Sequence, residues 1–168
     1  MKLANAAKYA LLVTTLGALV AGLLPTTADA TTATTTFGVS ATVQATCLVS
    51  ATALSFGTYT GVVANATSTV SVTCTNTTTY NVSLNPGTAS GATVTTRQMT
   101  GPSSSLLNYA LFSDSGHSVN WGQTIGTDTV TGTGNGSAQG ITVYGQVAAG
   151  QYVNPGAYSD TITATVTY

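Results

Sequence analysis

The chain has 168 residues and a formal charge of −1, with 4% charged side chains against 43% hydrophobic ones. Beyond residue 30 one basic residue, Arg97, stands against three acidic ones, Asp114, Asp128 and Asp160, and glutamate is absent from the whole chain. With no basic patch to neutralise phosphates, nucleic-acid binding is excluded, and a single histidine cannot complete a zinc site, so no metal and no cofactor are expected.

Residues 1–30 read as a secretory signal peptide. Lys2 and Lys8 supply the positive start, Tyr9–Leu24 the apolar stretch, and Ala28-Asp29-Ala30 the small-x-small cleavage site. The apolar stretch is 16 residues long. At about 1.5 Å per residue it would make a helix of roughly 24 Å, short of the about 30 Å of a bilayer core. No membrane span is therefore expected after cleavage. Residues 31–168 are enough for one domain with a core of its own.

After a polar leader, Thr31–Thr36, the residues Phe37, Val39, Ala41, Val43 and Ala45 alternate with Gly38, Ser40, Thr42 and Gln44. Alternation of this kind is the pattern of an amphipathic strand. Two readings stand: the first strand of the domain's own sandwich, or a strand that fills a gap in a neighbouring molecule. Periodicity alone does not choose between them. Cys47 and Cys74 follow, an even pair in an exported chain, and with only two cysteines the expected disulfide has one possible connectivity.

Strands are predicted at 36–49, 53–56, 67–75, 79–84, 92–96, 106–112, 141–148 and 158–167. Asn85-Pro86-Gly87, Gly101-Pro102 and Asn154-Pro155-Gly156 punctuate them, and residues 132–140 read as a flexible glycine-rich loop. Threonine fills 32 of the positions from 31 to 168, and its branched β-carbon suits a pleated surface. No segment there carries a sustained helical period. Many short strands at this spacing predict an all-β fold, an immunoglobulin-like β-sandwich ahead of a barrel.

In the last stretch Ile162, Ala164, Val166 and Tyr168 fall on one face, and Thr161, Thr163, Thr165 and Thr167 on the other. A chain ending in mid-strand predicts a terminal strand whose far edge something else must cover. A sheet protein with no lysine beyond residue 30 is also not guarding its edges in the usual way.

Catalysis is not expected. Asp114-Ser-Gly-His117 sits in a loop-like stretch, no GxSxG elbow is present, and three scattered aspartates make no carboxylate pair for glycoside chemistry. Trp121 and Tyr109 could form a sugar-stacking shelf, but packing is the favoured reading for both. Asp160, in phase with the inward face, is expected to accept hydrogen bonds from nearby backbone amides, since a buried carboxylate needs partners.

Several stretches together resemble the spore coat protein U domain family, the subunits of archaic, Csu-type chaperone–usher pili. They are Cys47-Leu-Val-Ser50, Leu54-Ser-Phe-Gly57, Ser71-Val-Thr-Cys74, Thr79-Tyr-Asn-Val-Ser-Leu84, Leu107-Asn-Tyr-Ala-Leu-Phe-Ser-Asp114 and Trp121-Gly122. The tail, Ile141-Thr-Val-Tyr-Gly-Gln-Val147 and Pro155-Gly-Ala-Tyr-Ser-Asp-Thr-Ile162, is the most specific piece.

The resemblance implies an incomplete immunoglobulin-like sandwich completed by a donated strand. It implies residues 31–45 as an N-terminal donor extension and 46–168 as the pilin domain. Phe37, Val39, Ala41 and Val43 would be the donor plugs, and Ile162, Ala164, Val166 and Tyr168 the acceptor groove. The implied partners are a periplasmic chaperone, an outer-membrane usher and neighbouring subunits joined head to tail, a contact that does not close and so builds a fibre. The implied function is a structural subunit of a surface pilus on a Gram-negative cell, supporting attachment and biofilm formation. The alternative is an adhesive tip or lectin-like binding module.

Overall fold

The computed structural model describes residues 29–168. The leader expected over 1–30 lies, but for its last two residues, outside the described residues. The chain divides into two units, Met1–Ser40 and Ala41–Tyr168. In the first, residues 29–40 carry no regular element, and Phe37 and Val39 are 84% and 85% exposed.

The second unit is all-β. Its strands are β1 (Cys47–Ala51), β2 (Ala64–Cys74), β3 (Thr79–Leu84), β4 (Arg97–Thr100), β5 (Leu106–Phe112), β6 (Val130–Thr133), β7 (Gln139–Val147) and β8 (Ala164–Thr167), with a short 3-10 turn at Pro102–Ser104. They form two antiparallel sheets, one ordered β1-β2-β7-β5-β4 and the other β6-β3-β8. The core lies between the sheets. Val70, Val72, Leu107, Tyr109, Leu111, Val143 and Val147 come from the larger sheet and Tyr80, Val82 and Leu84 from the smaller. Each set recurs at every second residue of its strand, which is why one face of each strand is dry.

Several expected boundaries move, each for a local reason. The strand expected over 36–49 begins only at Cys47, and residues 41–46, like those before them, belong to no strand. Residues 53–56 join no ladder, although Leu54 and Phe56 pack on the core. They lie over Gly145, where a Cβ would meet the Leu54 side chain at 2.9 Å.

The strand expected over 92–96 is instead a turn. Thr93 and Thr96 bond to each other through their backbones, and the Thr96 N–H also donates to Thr93 Oγ1. Threonine hydroxyls offer the backbone an alternative to a ladder, and pairing begins only at Arg97, opposite Tyr109. Within the loop expected over 132–140, Gly132 and Thr133 pair with β3 as part of β6, and Gln139 and Gly140 open β7. Gly132 is flat enough for the Tyr80 ring to lie on it, since a Cβ there would come 2.4 Å from the ring. The stretch 158–167 is divided between the sheets: Ser159 bridges Thr100 of β4, and only Ala164–Thr167 pair with β3.

Candidate functional site

β1 is an outer strand of one sheet and β8 of the other, and no ladder joins them although they run side by side. The direction of their unpaired backbone groups follows from the register. Asn85 N–H donates to Thr163 O at 3.1 Å, and Thr163 N–H returns to Asn85 Oδ1 at 2.8 Å. Residues of an antiparallel strand bond alternately to left and right. Thr163, Thr165 and Thr167 therefore turn their backbone groups to β3, while Ala164 and Val166 turn theirs to the open side.

The same argument holds on β1. Thr75 N–H donates to Thr46 O and Thr52 N–H to Thr69 O, both at 3.0 Å. Leu48 and Ser50 then bond to β2, and Cys47, Val49 and Ala51 present N–H and C=O to the gap. Two rows of unpaired groups thus face each other across it. Unsatisfied backbone groups held in an apolar setting are costly, so such a gap is a template for another strand.

The floor of the gap is the core itself. A cleft of about 400 Å³ is lined by Ala51, Leu54, Leu84, Leu111, Ile162 and Ala164 among others. It continues, through the shared residues Leu54, Phe56, Met99 and Tyr158, into a second cleft of about 800 Å³ that reaches Gly61 and Tyr152. Of the expected acceptor residues, Ile162, Ala164 and Val166 are half-buried against the core, whereas the intervening threonines are exposed. Tyr168 is 59% exposed and does not line either cleft. Of the expected donor residues, Ala41 and Val43 stand, like Phe37 and Val39, exposed and outside any strand.

The opposite wall was missed from sequence. Val49 shares a face with Cys47, which packs on the core, yet is 42% exposed, as an inward side chain is when nothing covers it. Its signal was available: the period of two that runs through Cys47, Val49 and Ala51. Cys47 and Cys74 are directly opposed, with Cα atoms 4.1 Å apart, and are joined in a disulfide. Theirs is a pair that exchanges no backbone bonds, the kind whose side chains come closest.

Polar residues brace the other side of the cleft. Arg97 is fully buried and donates only to carbonyls: Nε to Asn85 O at 2.9 Å, Nη1 to Val94 O at 2.6 Å, and Nη2 to Leu84 O at 3.0 Å and Trp121 O at 2.7 Å. Burial lowers its pKa, opposed by Tyr109, Asp128 and Asp160.

Asp160 accepts from Thr88 N–H at 2.8 Å, Thr88 Oγ1 at 2.7 Å, Thr161 N–H at 2.8 Å and Tyr109 Oη at 2.7 Å. Burial pushes this carboxyl up, but those hydrogen bonds together hold it below the ordinary value. Burial, with the Asp160 contact second, pushes the Tyr109 phenol far up, so it stays a donor. Gly87, at φ +95°, has no room for a side chain, since a Cβ would fall 1.9 Å from Asp160 Oδ2.

No catalytic arrangement forms around the remaining candidates. Asp114 accepts from Val119 N–H and from Ser118, which lower its pKa, and so closes its own loop. His117 stands edge-on to Phe112 and Tyr144. Trp121 is fully buried with Nε1 donating to Val82 O at 2.8 Å, and Tyr109 is buried too, so neither offers a sugar-stacking face. Among the described residues no group of three metal-capable side chains occurs, and no helix is long and apolar enough to cross a membrane.

The arrangement defines a class: an antiparallel β-sandwich with an apolar, edge-lined gap where a further strand would sit. Comparison with known proteins places the chain within that class. The family model of the Spore Coat Protein U domain matches residues 33–165, and the chain belongs to that family. It is 35% identical to Protein U of Myxococcus xanthus over 181 aligned positions, which cover 98% of this chain and 99% of that protein.

Among solved structures it is similar to a chain in the crystal structure of the CsuC–CsuE chaperone–tip adhesion subunit pre-assembly complex, from the archaic chaperone–usher Csu pili of Acinetobacter baumannii. The TM-score is 0.59 at 23% identity over 76% of this chain. The present chain spans 41% of that one, and the likeness is one of fold.

Proposed function

We propose that this chain is a structural subunit of a surface pilus assembled by a chaperone and an usher. The observation that carries the reading is the gap between β1 and β8, with backbone groups unpaired on both sides and core residues for a floor. Strand addition fits such a site: main-chain bonds give affinity, and alternate side chains fill pockets. The occupant is first a chaperone strand in the periplasm, then the segment Phe37–Val43 of the next subunit. Phe37, Val39, Ala41 and Val43 enter the cleft, and Ile162, Ala164 and Val166 receive them, with Tyr168 at its end.

On this reading residues 1–30 are a cleaved signal peptide, 31–45 the donor extension and 46–168 the acceptor domain. The fibre stands on the surface of a Gram-negative cell and serves attachment and biofilm formation. Because one chain carries both a donor pattern and an acceptor gap, the contact repeats head to tail without closing. The same pairing favours a subunit within the fibre over an adhesive tip or lectin-like module, which needs no donor strand. The test is a gel of fibres from the cell surface, with and without boiling. A rod subunit gives a ladder of heat-resistant multimers, whereas a coat protein or a lone adhesin gives monomer in both lanes.

A further inference from the structure

The groove wall between Ser159 and Thr163 crosses from one sheet to the other, and ordinary ladder pairing does not hold it. Ser159 exchanges two backbone bonds with Thr100 of β4, and four residues later Thr163 is bonded to Asn85 beyond the end of β3. Between them the wall is fixed from behind. Asp160 takes four hydrogen bonds from Thr88, Thr161 and Tyr109, and so pins the wall to β5 and to the loop after β3. That loop is in turn gripped by Arg97, whose guanidinium holds the carbonyls of Leu84 and Asn85 from β4. Asn85 is the link, bonded on one side to Arg97 and on the other to Thr163.

We propose that Arg97 and Asp160 are positioning residues that hold the Ser159–Thr163 wall in place while the groove is empty, so that a donor strand meets a preformed edge. The proposal rests on the reading of the gap as a strand acceptor. Arg97 lines neither cleft and acts through Asn85; Asp160 borders the first cleft and acts through the backbone it fixes.

The physical reason is the missing strand. In a closed sandwich the neighbouring strand would hold this wall, whereas here the bridge to β4 and the bonds to Asn85 hold its ends and the polar brace holds the span between them. A chain that carries one cation beyond residue 30 places it, fully buried, behind this wall. Once a donor strand is seated its own ladder bonds fix the wall, and the brace becomes redundant. The residues therefore govern the rate of strand uptake more than the stability of the filled subunit.

The test uses the subunit freed of its chaperone, so that the groove is empty, challenged with a synthetic peptide of residues 31–46 from this chain. Uptake is followed by mass spectrometry, and wall order by amide hydrogen exchange over 159–166. Tyr109→Phe removes one bond to Asp160 while keeping the ring, Asp160→Asn keeps the shape and removes the charge, and Arg97→Lys removes the planar fork. If the wall is ordered only part of the time, uptake falls to that fraction of its full value. The expected result is uptake slowed about tenfold in Asp160→Asn, with faster exchange over 159–166, unchanged exchange in β2 and β7, and an unchanged unfolding midpoint for the filled subunit.

Tyr109→Phe and Asp160→Asn subunits that take up peptide at the wild-type rate, with unchanged exchange over 159–166, would overturn the proposal even if Arg97→Lys fails to fold. An equal loss of stability in empty and filled forms would overturn it too, by making the brace a general support. A wild-type subunit that never takes up the peptide sinks the strand-acceptor reading itself. Exchange over 159–166 then still decides whether the brace orders the wall.

Discussion

Val166 lies directly opposite Val82 across the β3–β8 ladder, in a pair that exchanges no backbone hydrogen bonds. Its side chain turns to the core while its N–H and C=O turn to the open edge, so one residue offers an incoming strand both an apolar contact and a ladder position. Ala164, opposite Leu84, repeats the arrangement one step along.

The first prediction tests that face assignment. Ile162→Asp or Val166→Asp places an uncompensated charge against the apolar floor, a cost of several kcal/mol unless the group protonates or finds a partner. Thr163→Asp or Thr165→Asp puts the same charge on the exposed face. The inward pair should lose chaperone protection and fall in periplasmic yield, whereas the outward pair should stay close to wild type. Equal yields and equal fibre assembly would show the two faces to be equivalent.

Removal of residues 31–43 separates donation from acceptance. These residues form no strand, so the truncated subunit should fold and bind its chaperone normally. It should fail to enter the groove of another subunit, which cross-linking of surface fibres will reveal. Long fibres built from the truncated chain would remove this segment from the donor role.

The Cys47–Cys74 bridge closes a sequence separation of 27 residues. Chain-entropy arguments give such a loop about 3–4 kcal/mol of stabilisation. Alkylation of natively exported protein should therefore add no mass without reductant, and Cys47→Ser with Cys74→Ser should lower the urea midpoint correspondingly.

Acid stability should depend on Asp160. Its pKa is held below the ordinary carboxylate value, so the folded state binds the proton less readily than the unfolded chain does. The resulting stability is fully present above the unfolded value of about 3.9 and is lost as pH falls through the folded value. Urea unfolding of the empty subunit between neutral pH and pH 2 should show that decline, and Asp160→Asn should flatten it, leaving a remainder from Asp114, which is held low by the Val119 and Ser118 amides and the Ser118 hydroxyl.

Burial of Trp121 gives a further measurement. Trp121→Phe empties part of a fully buried site and strands the Val82 carbonyl that Nε1 now serves. Cavity and orphaned acceptor together should cost about 2–4 kcal/mol, visible as a lowered melting temperature with the β-sheet circular dichroism retained.

The sequence by itself determined the β class, the disulfide partners and the two faces of the final strand. Each is a local property: alternation at Ile162, Ala164 and Val166 sets the faces, and two cysteines allow one pairing. Tertiary structure alone decided which extended segments have partners. Residues 36–46 alternate as clearly as β8 does yet join no ladder, because alternation records which side could be dry and not whether anything lies alongside. Thr93–Thr96 carry strong strand propensity but close on themselves, because a nearby hydroxyl reached the backbone first. Arg97 stands in the sequence only as a lone basic residue and is the most buried polar side chain of the core, since its four carbonyl partners come from Leu84, Asn85, Val94 and Trp121 and meet only when the sheets stack. The gap itself belongs to this second kind: β1 and β8 are more than a hundred residues apart, and only the packing of two sheets sets their open edges face to face.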